Sequence, residues 1–330
     1  MRHDRRVRVV PSLVAALAGV IPASSVGGTG LPEPGTWVPP TARFVAFVDV
    51  ATLLSSPALQ GLEALIGRQI SPAQIESFRE LTGMDPWRDF QALSFFTGVA
   101  SEGEEGAREL WGVAIAGGFD PERILDSMEQ RIRVERHEHR ETPLYVFCPG
   151  GGARDGEPHA LAFPDGGTAL FGPAESVRLM LDVGLGFGPS SSRDGLQADL
   201  DELFGCDALC IVGVGSAGLG TRVPTLEEGT EVPAIRSYAF SLRTGTGIRV
   251  RGWAETESSE AASELSDLVR GAIALGALSP ESARGAPAFE SVEVETIDDR
   301  IEVSFEVDGR AVRAWLREVE KRAPSKSSAR

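Results

Sequence analysis

The chain has four histidines, and two of them form the cluster His137-Glu138-His139. In an extended strand, the side chains of His137 and His139 share one face, where they could chelate a metal ion with Glu135 or Glu141. Three neighbouring guanidinium groups would repel a cation: Arg133, Arg136 and Arg140. The sequence therefore predicts an exposed strand of mixed charge at this position and no metal site.

A glycine-rich run, Gly213-Val214-Gly215-Ser216-Ala217-Gly218, has the spacing of a dinucleotide-binding loop and follows an apolar strand. Such a loop needs a helix after it, whose N-terminus meets the pyrophosphate, and an acidic residue at the end of the next strand. Pro224 blocks a helix, and the strand near Tyr238 lacks the acid. We therefore expect no nucleotide cofactor and interpret the run as an irregular connection that continues to about Ala234.

No residue has the local context of a catalytic nucleophile. Ser216 fails as a nucleophile elbow because Val214 occupies a position that requires glycine. A Ser-His-Asp triad would have to use His159 or the histidine cluster. The acidic runs at 102–105 and 227–231 lack the spaced ligands of a calcium loop. The catalytic residues, if there are any, are therefore unknown from the sequence.

Four tryptophans lie within or beside predicted elements, which favours a place in the core over a sugar-binding platform: Trp87, Trp111, Trp253 and Trp315. The formal net charge of −16 disfavours nucleic acid as a partner, because affinity for nucleic acid depends largely on Lys and Arg that neutralise phosphates. An anionic membrane surface is disfavoured for the same reason. The expected partner is a protein or a small ligand.

The N-terminus has the pattern of an export signal. A basic start that includes Arg5 and Arg6 precedes an apolar stretch from Val9 to Ile21, and the small residues Ala23-Ser24-Ser25 follow. The apolar stretch is shorter than the roughly 20 residues that a membrane-spanning helix needs. We expect cleavage near Val26 and a mature chain in the periplasm or cell envelope without an integral membrane segment; Sec and twin-arginine export both remain open.

The three cysteines allow at most one internal disulfide. Cys206 and Cys210 could be joined only if the chain turns at Cys206-Asp207, since an extended strand would hold their α-carbons too far apart. The alternative is that they are small buried apolar residues. No pair of CxxC motifs supports a zinc site.

Hydrophobic patterning predicts a chain of short strands and helices. The apolar runs Phe44–Val48 and Ala208–Val212 are typical of central strands that are covered on both faces. Asp120-Pro121 is typical of a helix start. Ile301 to Val307 alternate with polar residues as in a strand with one buried face, and Asp298-Asp299 is the expected turn of the hairpin that this strand closes. Strand–strand–helix units occur four times. The helix that ends each unit is expected at Pro121–Met128, Pro173–Val183, Ser259–Leu275 and Gly309–Glu318.

These units predict an α+β fold with two similar halves, each an antiparallel-rich sheet with its helices on one face. The expected organisation is a signal peptide at 1–25, a Pro/Gly-rich leader at 26–41, a first half at 42–186, a linker with a short helix at 187–205, a second half at 206–321, and a disordered tail at 322–330.

Several stretches resemble a group of uncharacterised exported bacterial proteins: Phe44–Val50, Gly83–Pro86, Gly117–Ile124, Ala160–Phe163 and Leu170–Val177. The resemblance covers roughly residues 40 to 185 well and the second half loosely. It implies an envelope or periplasmic setting and a protein without catalytic activity. It implies no cofactor and no site residue.

The sequence thus favours an exported, soluble envelope protein that acts as a non-catalytic binding or interaction module. The alternative is a secreted hydrolase with its site in the cleft between the two halves. A deep cleft in which His137, His139 or His159 meets carboxylates would favour the hydrolase, whereas a shallow surface would favour the binding module.

Overall fold

A computed structural model describes residues 36–60, 72–82, 84–103, 106–148, 157–188, 208–215, 233–278 and 291–322. The predicted signal peptide, most of the leader, the linker from residue 189 on with its short helix, Cys206, the run from Ser216 to Gly218 and the tail after Arg322 lie outside the described residues.

The described chain is a mixture of strands and helices, as an α+β fold requires. The strands are β1 Ala42–Asp49, β2 Phe90–Gly103, β3 Gly106–Gly117, β4 Val134–His139, β5 Thr142–Phe147, β6 His159–Asp165, β7 Thr168–Pro173, β8 Leu209–Val214, β9 Ile235–Thr244, β10 Gly247–Thr256, β11 Glu293–Ile297 and β12 Arg300–Asp308. The helices are α1 Val50–Ser55, α2 Pro72–Thr82, the single turn α3 Pro86–Asp89, α4 Pro121–Glu129, α5 Ala174–Gly184, α6 Ser259–Leu278 and α7 Gly309–Arg322, with a 3-10 turn at Pro57–Leu59.

All twelve strands belong to one sheet, in the order β11-β12-β10-β9-β8-β1-β2-β3-β7-β6-β5-β4. Every neighbouring pair is antiparallel. The strands of the first half therefore lie on one side of β1 and those of the second half lie on the other side of β8. The two edge strands are β11 and β4.

The predicted central strands are neighbours in this single sheet, and they do not lie in two separate sheets. Val45 of β1 is opposite Val212 of β8, and Phe47 is opposite Cys210. Both strands are almost wholly apolar, so each can be buried on both faces beside the other. The boundary between the halves is consequently a hydrogen-bonded strand pair.

Two hydrophobic clusters cover opposite faces of the sheet, because successive side chains of a strand alternate between faces. Val48, Leu93, Val113 and Phe171 belong to the first cluster, which defines the first face. Their neighbours along the strands belong to the second cluster, which defines the second face; they include Phe96, Ala114 and Leu170.

The helices divide unequally between these faces. Ile124 and Met128 of α4 and Val312 and Leu316 of α7 pack in the first cluster. Helix α6 packs against Ile301 of β12. Ile301 and Val307 are an even number of residues apart in this strand, so they point to the same face, and Val307 belongs to the first cluster. Helix α6 therefore also covers the first face. The expectation of helices on one face is wrong for α5, whose residues Val177, Met180 and Leu181 pack in the second cluster.

Helix α5 reaches the second face because the sequence leaves room for it there. Gly112 of β3 lies beneath Met180, and a side chain at this glycine would overlap Met180 and Phe96. Helix α5 carries no charged residue among those it buries, namely Ala174, Ser176, Val177, Met180 and Leu181. Neither feature reveals, from the local sequence alone, on which face of the sheet α5 packs.

Local capping follows the sequence closely. The carboxylate of Asp49 accepts a hydrogen bond from the Thr52 backbone N–H at 2.8 Å and begins α1. The carboxylate of Asp120 accepts one from the Arg123 N–H at 3.1 Å, with Pro121 as the first residue of α4. These contacts satisfy backbone donors that a helix N-terminus otherwise leaves without partners.

Two residues of the predicted leader belong to the core. Trp37 and Val38 are 6% and 3% exposed and pack in the second cluster. The ring of Trp37 lies directly against Gly184 at the end of α5, where any side chain would collide with it. The packed first half therefore begins before residue 42. Within the described parts of the chain, no helix is long and apolar enough to cross a membrane.

Candidate functional site

The histidines that could serve a catalytic site are divided between the two faces of the sheet. His137 and His139 lie on edge strand β4, where His137 is opposite Leu144, a residue of the second cluster. His159 lies on β6 opposite Phe147, a residue of the first cluster. The sheet itself thus separates His159 from the other two, and these three side chains do not meet in one cleft.

His139 forms part of an ion-pair cluster that joins the β4–β5 turn to the end of α5. Its Nε2 lies 3.0 Å from Oδ1 of Asp182, and Nε of Arg140 donates to the same oxygen at 2.7 Å. Partial burial raises the pKa of Asp182, but hydrogen bonds from Arg140 and His139 and their positive charges outweigh it and hold that pKa below its ordinary value. This cluster fixes a turn and a helix end to each other.

His137 is more exposed and lies near a single acid. Its Nε2 is 3.7 Å from Oε2 of Glu135, on the same face of β4. Arg133 also pairs with Glu135, at 2.9 Å. No group of three or more His, Cys, Asp and Glu side chains in the described ranges is arranged to hold a metal ion. The mixed-charge exposed strand expected here is what the structure contains.

His159 packs in an aromatic cluster. Its ring stacks on Phe171, with centroids 5.8 Å apart, and lies 5.5 Å from Trp111 and 6.4 Å from Phe147. Its Nδ1 is 3.0 Å from the backbone oxygen of Glu157, so Nδ1–H donates to that carbonyl. His159 is partly buried, and its ring packs as a member of this aromatic cluster.

The start of the glycine-rich run has a packing role. Gly213 is opposite both Phe44 and Tyr238, and the ring of Tyr238 occupies the space that a side chain at Gly213 would need. Burial raises the pKa of Tyr238 to about 12. Gly215 has a φ of +63°, which favours glycine. The rest of the run lies outside the described residues, so the expected absence of a nucleotide site remains a prediction.

The predicted core tryptophans differ in their burial. Trp253 is 6% exposed, Trp111 is half-buried in the aromatic cluster, and Trp315 is 41% exposed on α7. The side chain of Trp87 lies outside the described part of the chain. The guanidinium of Arg300 lies 4.3 Å from the centroid of the Trp253 ring. Trp253 is the residue of the second cluster at which the apolar part of the second face ends and charged side chains begin.

Beyond Trp253, the second face carries polar and charged side chains on three strands, and none of the described helices covers it. This surface, called the open face below, comprises Arg251 and Trp253 of β10, Arg300, Glu302 and Ser304 of β12, and Glu293 and Glu295 of β11. It encloses a cavity of about 150 Å³.

The charges of the open face are only partly compensated. Arg300 Nε lies 3.2 Å from Glu302 Oε1, and Ser304 donates to Glu293 at 3.4 Å. Glu295 is directly opposite Glu302, and like charges in that arrangement destabilise a sheet. The sequence predicted the alternation of β12 and its hairpin with β11, but not its place beside β10, because that step requires the strand order.

No protein-family model matches the chain, and no curated protein sequence matches it. Two solved structures of TP0453, an uncharacterised Treponema protein, are similar in shape at 9% sequence identity. Crystal form I aligns over 87% of this chain and 98% of TP0453 with a TM-score of 0.46. Crystal form IV aligns over 88% and 97% with a TM-score of 0.45. Similarity at this level supports no inference about function.

Proposed function

We propose that this chain is an exported, non-catalytic binding module of the cell envelope and that it binds another protein through the open face. The single observation that carries the proposal is the charged surface next to Trp253, which no helix in the described ranges covers. Helix α5 covers the second face over the first half, whereas exposed Arg251, Glu293 and Glu295 occupy the corresponding face of the second half.

The size of the cavity favours a protein partner over a small ligand. Small-molecule sites usually enclose about 300–1,000 Å³ and are mostly apolar. The cavity of the open face holds about 150 Å³ and is lined by Arg251, Arg300, Glu293, Glu295 and Glu302 among others. A small, highly charged surface of this kind suits a second protein that brings its own side chains to the charges.

The residue types of the open face are those that contribute most to protein interfaces. Arginine and tryptophan are enriched among the residues whose loss weakens binding most. Arg300 is ordered over Trp253 and beside Glu302, so this arginine is held in place before a partner arrives. Glu293 and Glu295 are exposed, so their carboxylates are available to basic groups of a partner. Opposite charges attract across an interface.

The hydrolase alternative has less support. Its site would lie between the halves, where β1 and β8 are hydrogen-bonded neighbours. The histidines it could use lie on opposite faces of the sheet. Neither arrangement brings a base to a nucleophile, which general-base catalysis requires.

The export part of the proposal rests on the basic, apolar and small-residue pattern of the first 25 residues. Intact-mass measurement on protein from the native host tests it. A chain that begins near Val26 outside the cytoplasm agrees with the proposal. A chain that keeps Met1 and stays in the cytosol contradicts it.

We also infer that the sheet was built from two related halves. From the centre outward, the order β1-β2-β3-β7-β6 matches β8-β9-β10-β12-β11, and each series has a helix after its third strand. Helices α4 and α6, which follow the third strand of each half, pack on the same face of the sheet. Helices α5 and α7, which end the two halves, pack on opposite faces. The proposed relation between the halves therefore includes the strands, α4 and α6, but not α5 and α7. In alignments of related sequences, the segment β1–β3 should score higher against β8–β10 than against the same residues of β8–β10 in shuffled order.

A photoreactive amino acid at Ser304, in the middle of the open face, tests the binding proposal in the native envelope. The matched control carries it at Glu264, an exposed position of α6 on the first face. We expect one dominant cross-linked protein from position 304 and its loss when Arg251→Glu and Arg300→Glu are added. Equal products from both positions, or none from position 304, would contradict the proposal.

A further inference from the structure

Edge strand β4 presents backbone groups and charges, with no strand of the described part of the chain on its outer side. In the described sheet, β4 pairs with β5 alone and ends the strand order. The side chains of Glu135, Arg136, His137 and Glu138 are all exposed. An exposed edge offers hydrogen-bonding groups to a further strand unless its side chains prevent the approach.

We propose that β4 pairs with β4 of a second copy of this chain, antiparallel and centred on His137, so that two sheets join into one. A two-fold axis perpendicular to the sheet keeps each side chain on its own face and places equivalent residues opposite each other. The strand Val-Glu-Arg-His-Glu-His is self-complementary in this register.

The charges select this register. With His137 opposite itself, Arg136 of one copy is opposite Glu138 of the other, and Glu135 is opposite His139. Symmetry gives each of these pairs twice. Centring the axis on Arg136 would place two arginines opposite each other, and centring it on Glu138 would place two glutamates opposite each other. Like charges in that position are unfavourable.

The surroundings of β4 extend the complementary surface. On the same side of the molecule, Phe187 is 61% exposed and its ring lies 4.9 Å from the guanidinium of Arg140, in the turn that ends β4. An exposed phenylalanine beside the edge adds apolar area that a second copy could cover.

The other edge of the sheet gives a contrast. Strand β11 carries Glu293 and Glu295 as its charged residues. Antiparallel pairing of two β11 strands centred on Glu295 would place two glutamates opposite each other. Charge complementarity therefore assigns self-association to β4, and this surface is distinct from the open face.

The dimer should be weak, because β4 has six residues and a standard interface buries about 1,600 Å². Sedimentation equilibrium over a wide range of chain concentrations tests it. We expect Arg136→Glu and Glu138→Arg each to raise the dissociation constant about tenfold or more, since each places like charges opposite twice. The double variant Arg136→Glu/Glu138→Arg restores both pairs and should restore the dimer.

Thermal melting of each variant separates loss of pairing from loss of folding, and Glu295→Arg on β11 is the control that should leave the dimer unchanged. Cysteine cross-linking is the second measurement. Opposite residues of antiparallel strands have α-carbons about 4.5–5.5 Å apart, within the range of a disulfide. His137→Cys should therefore give an oxidised dimer, and Glu295→Cys should not. A chain that stays monomeric, or a double variant as weak as the single ones, overturns the proposal.

Discussion

Asp182, near the end of α5, accepts hydrogen bonds from the last residue of β4 and the first residue of the β4–β5 turn, with His139 Nε2 3.0 Å and Arg140 Nε 2.7 Å from its Oδ1. His139 and Asp182 are 43 residues apart in sequence. This contact ties edge strand β4 to the helix that covers the second face, so its loss should be measurable in the stability of the fold.

Replacing Asp182 by Asn should lower the free energy of unfolding by about 1 kcal/mol near pH 7, because the negative charge that accepts hydrogen bonds from Arg140 and His139 is removed. The pKa of Asp182 is lower in the folded chain than in the unfolded one. Its stabilising contribution is therefore complete above the unfolded pKa of about 4 and is lost as pH falls through the folded value. Urea unfolding of both chains should show a difference in the free energy of unfolding that narrows as pH falls below about 4. A difference that widens in acid would contradict the assignment.

Replacing Glu141 by Gly should stabilise the chain by roughly 0.5–1 kcal/mol. Arg140 and Glu141 have φ of 51° and 62°, a left-handed pair that two-residue hairpin turns require and that glycine adopts without strain. The midpoint of urea unfolding measures the effect. Arg140→Gly is the comparison, and it should gain less because it removes the contact with Asp182.

Replacing Gly213 by Ala should destabilise the chain by about 1–3 kcal/mol, because the new methyl group would overlap the Tyr238 ring in a packed sheet. Gly245→Ala is the matched control. A side chain at Gly245 would meet no atom within 4 Å, so its effect should stay within about 0.5 kcal/mol. Equal effects at the two positions would show that Tyr238 does not constrain Gly213.

Titration with NAD, FAD or ATP should leave the melting temperature unchanged. The reason is the sequence after Gly218, where Pro224 blocks the helix that a pyrophosphate site needs, and Glu227, Glu228 and Glu231 repel phosphate. A ligand present at 100 times its dissociation constant would stabilise the fold by about 2.7 kcal/mol, which a melting curve resolves. A shift of several degrees that Gly215→Val abolishes would restore the nucleotide hypothesis.

Replacing Leu181 by Ala should cost about 2–5 kcal/mol, because Leu181 is completely buried between α5 and the second face. Leu185 is 37% exposed one turn later and is the matched control, with a much smaller expected effect. Chemical unfolding of both variants measures the difference. A small effect at Leu181 would mean that α5 does not hold the second face as described.

Local sequence predicted the elements well, because caps, turns and alternation act over a few residues. The Asp120 cap, the hairpin turn at Asp298-Asp299 and the alternating β12 all lie where the sequence places them. The sequence also predicted an α+β class and an exposed β4. Trp37 escaped prediction because its partner, Gly184, is distant in the chain and Pro and Gly surround it in sequence.

The sequence by itself determined which segments are strands and helices, which face of each strand is polar, and where the acidic and basic side chains lie. Tertiary structure decided that Val45 pairs with Val212, that α5 crosses to the second face, and that the sheet separates His159 from His137. The physical reason is that strand order and register are set by contacts between distant segments. An apolar strand carries no local mark of which other apolar strand it will join.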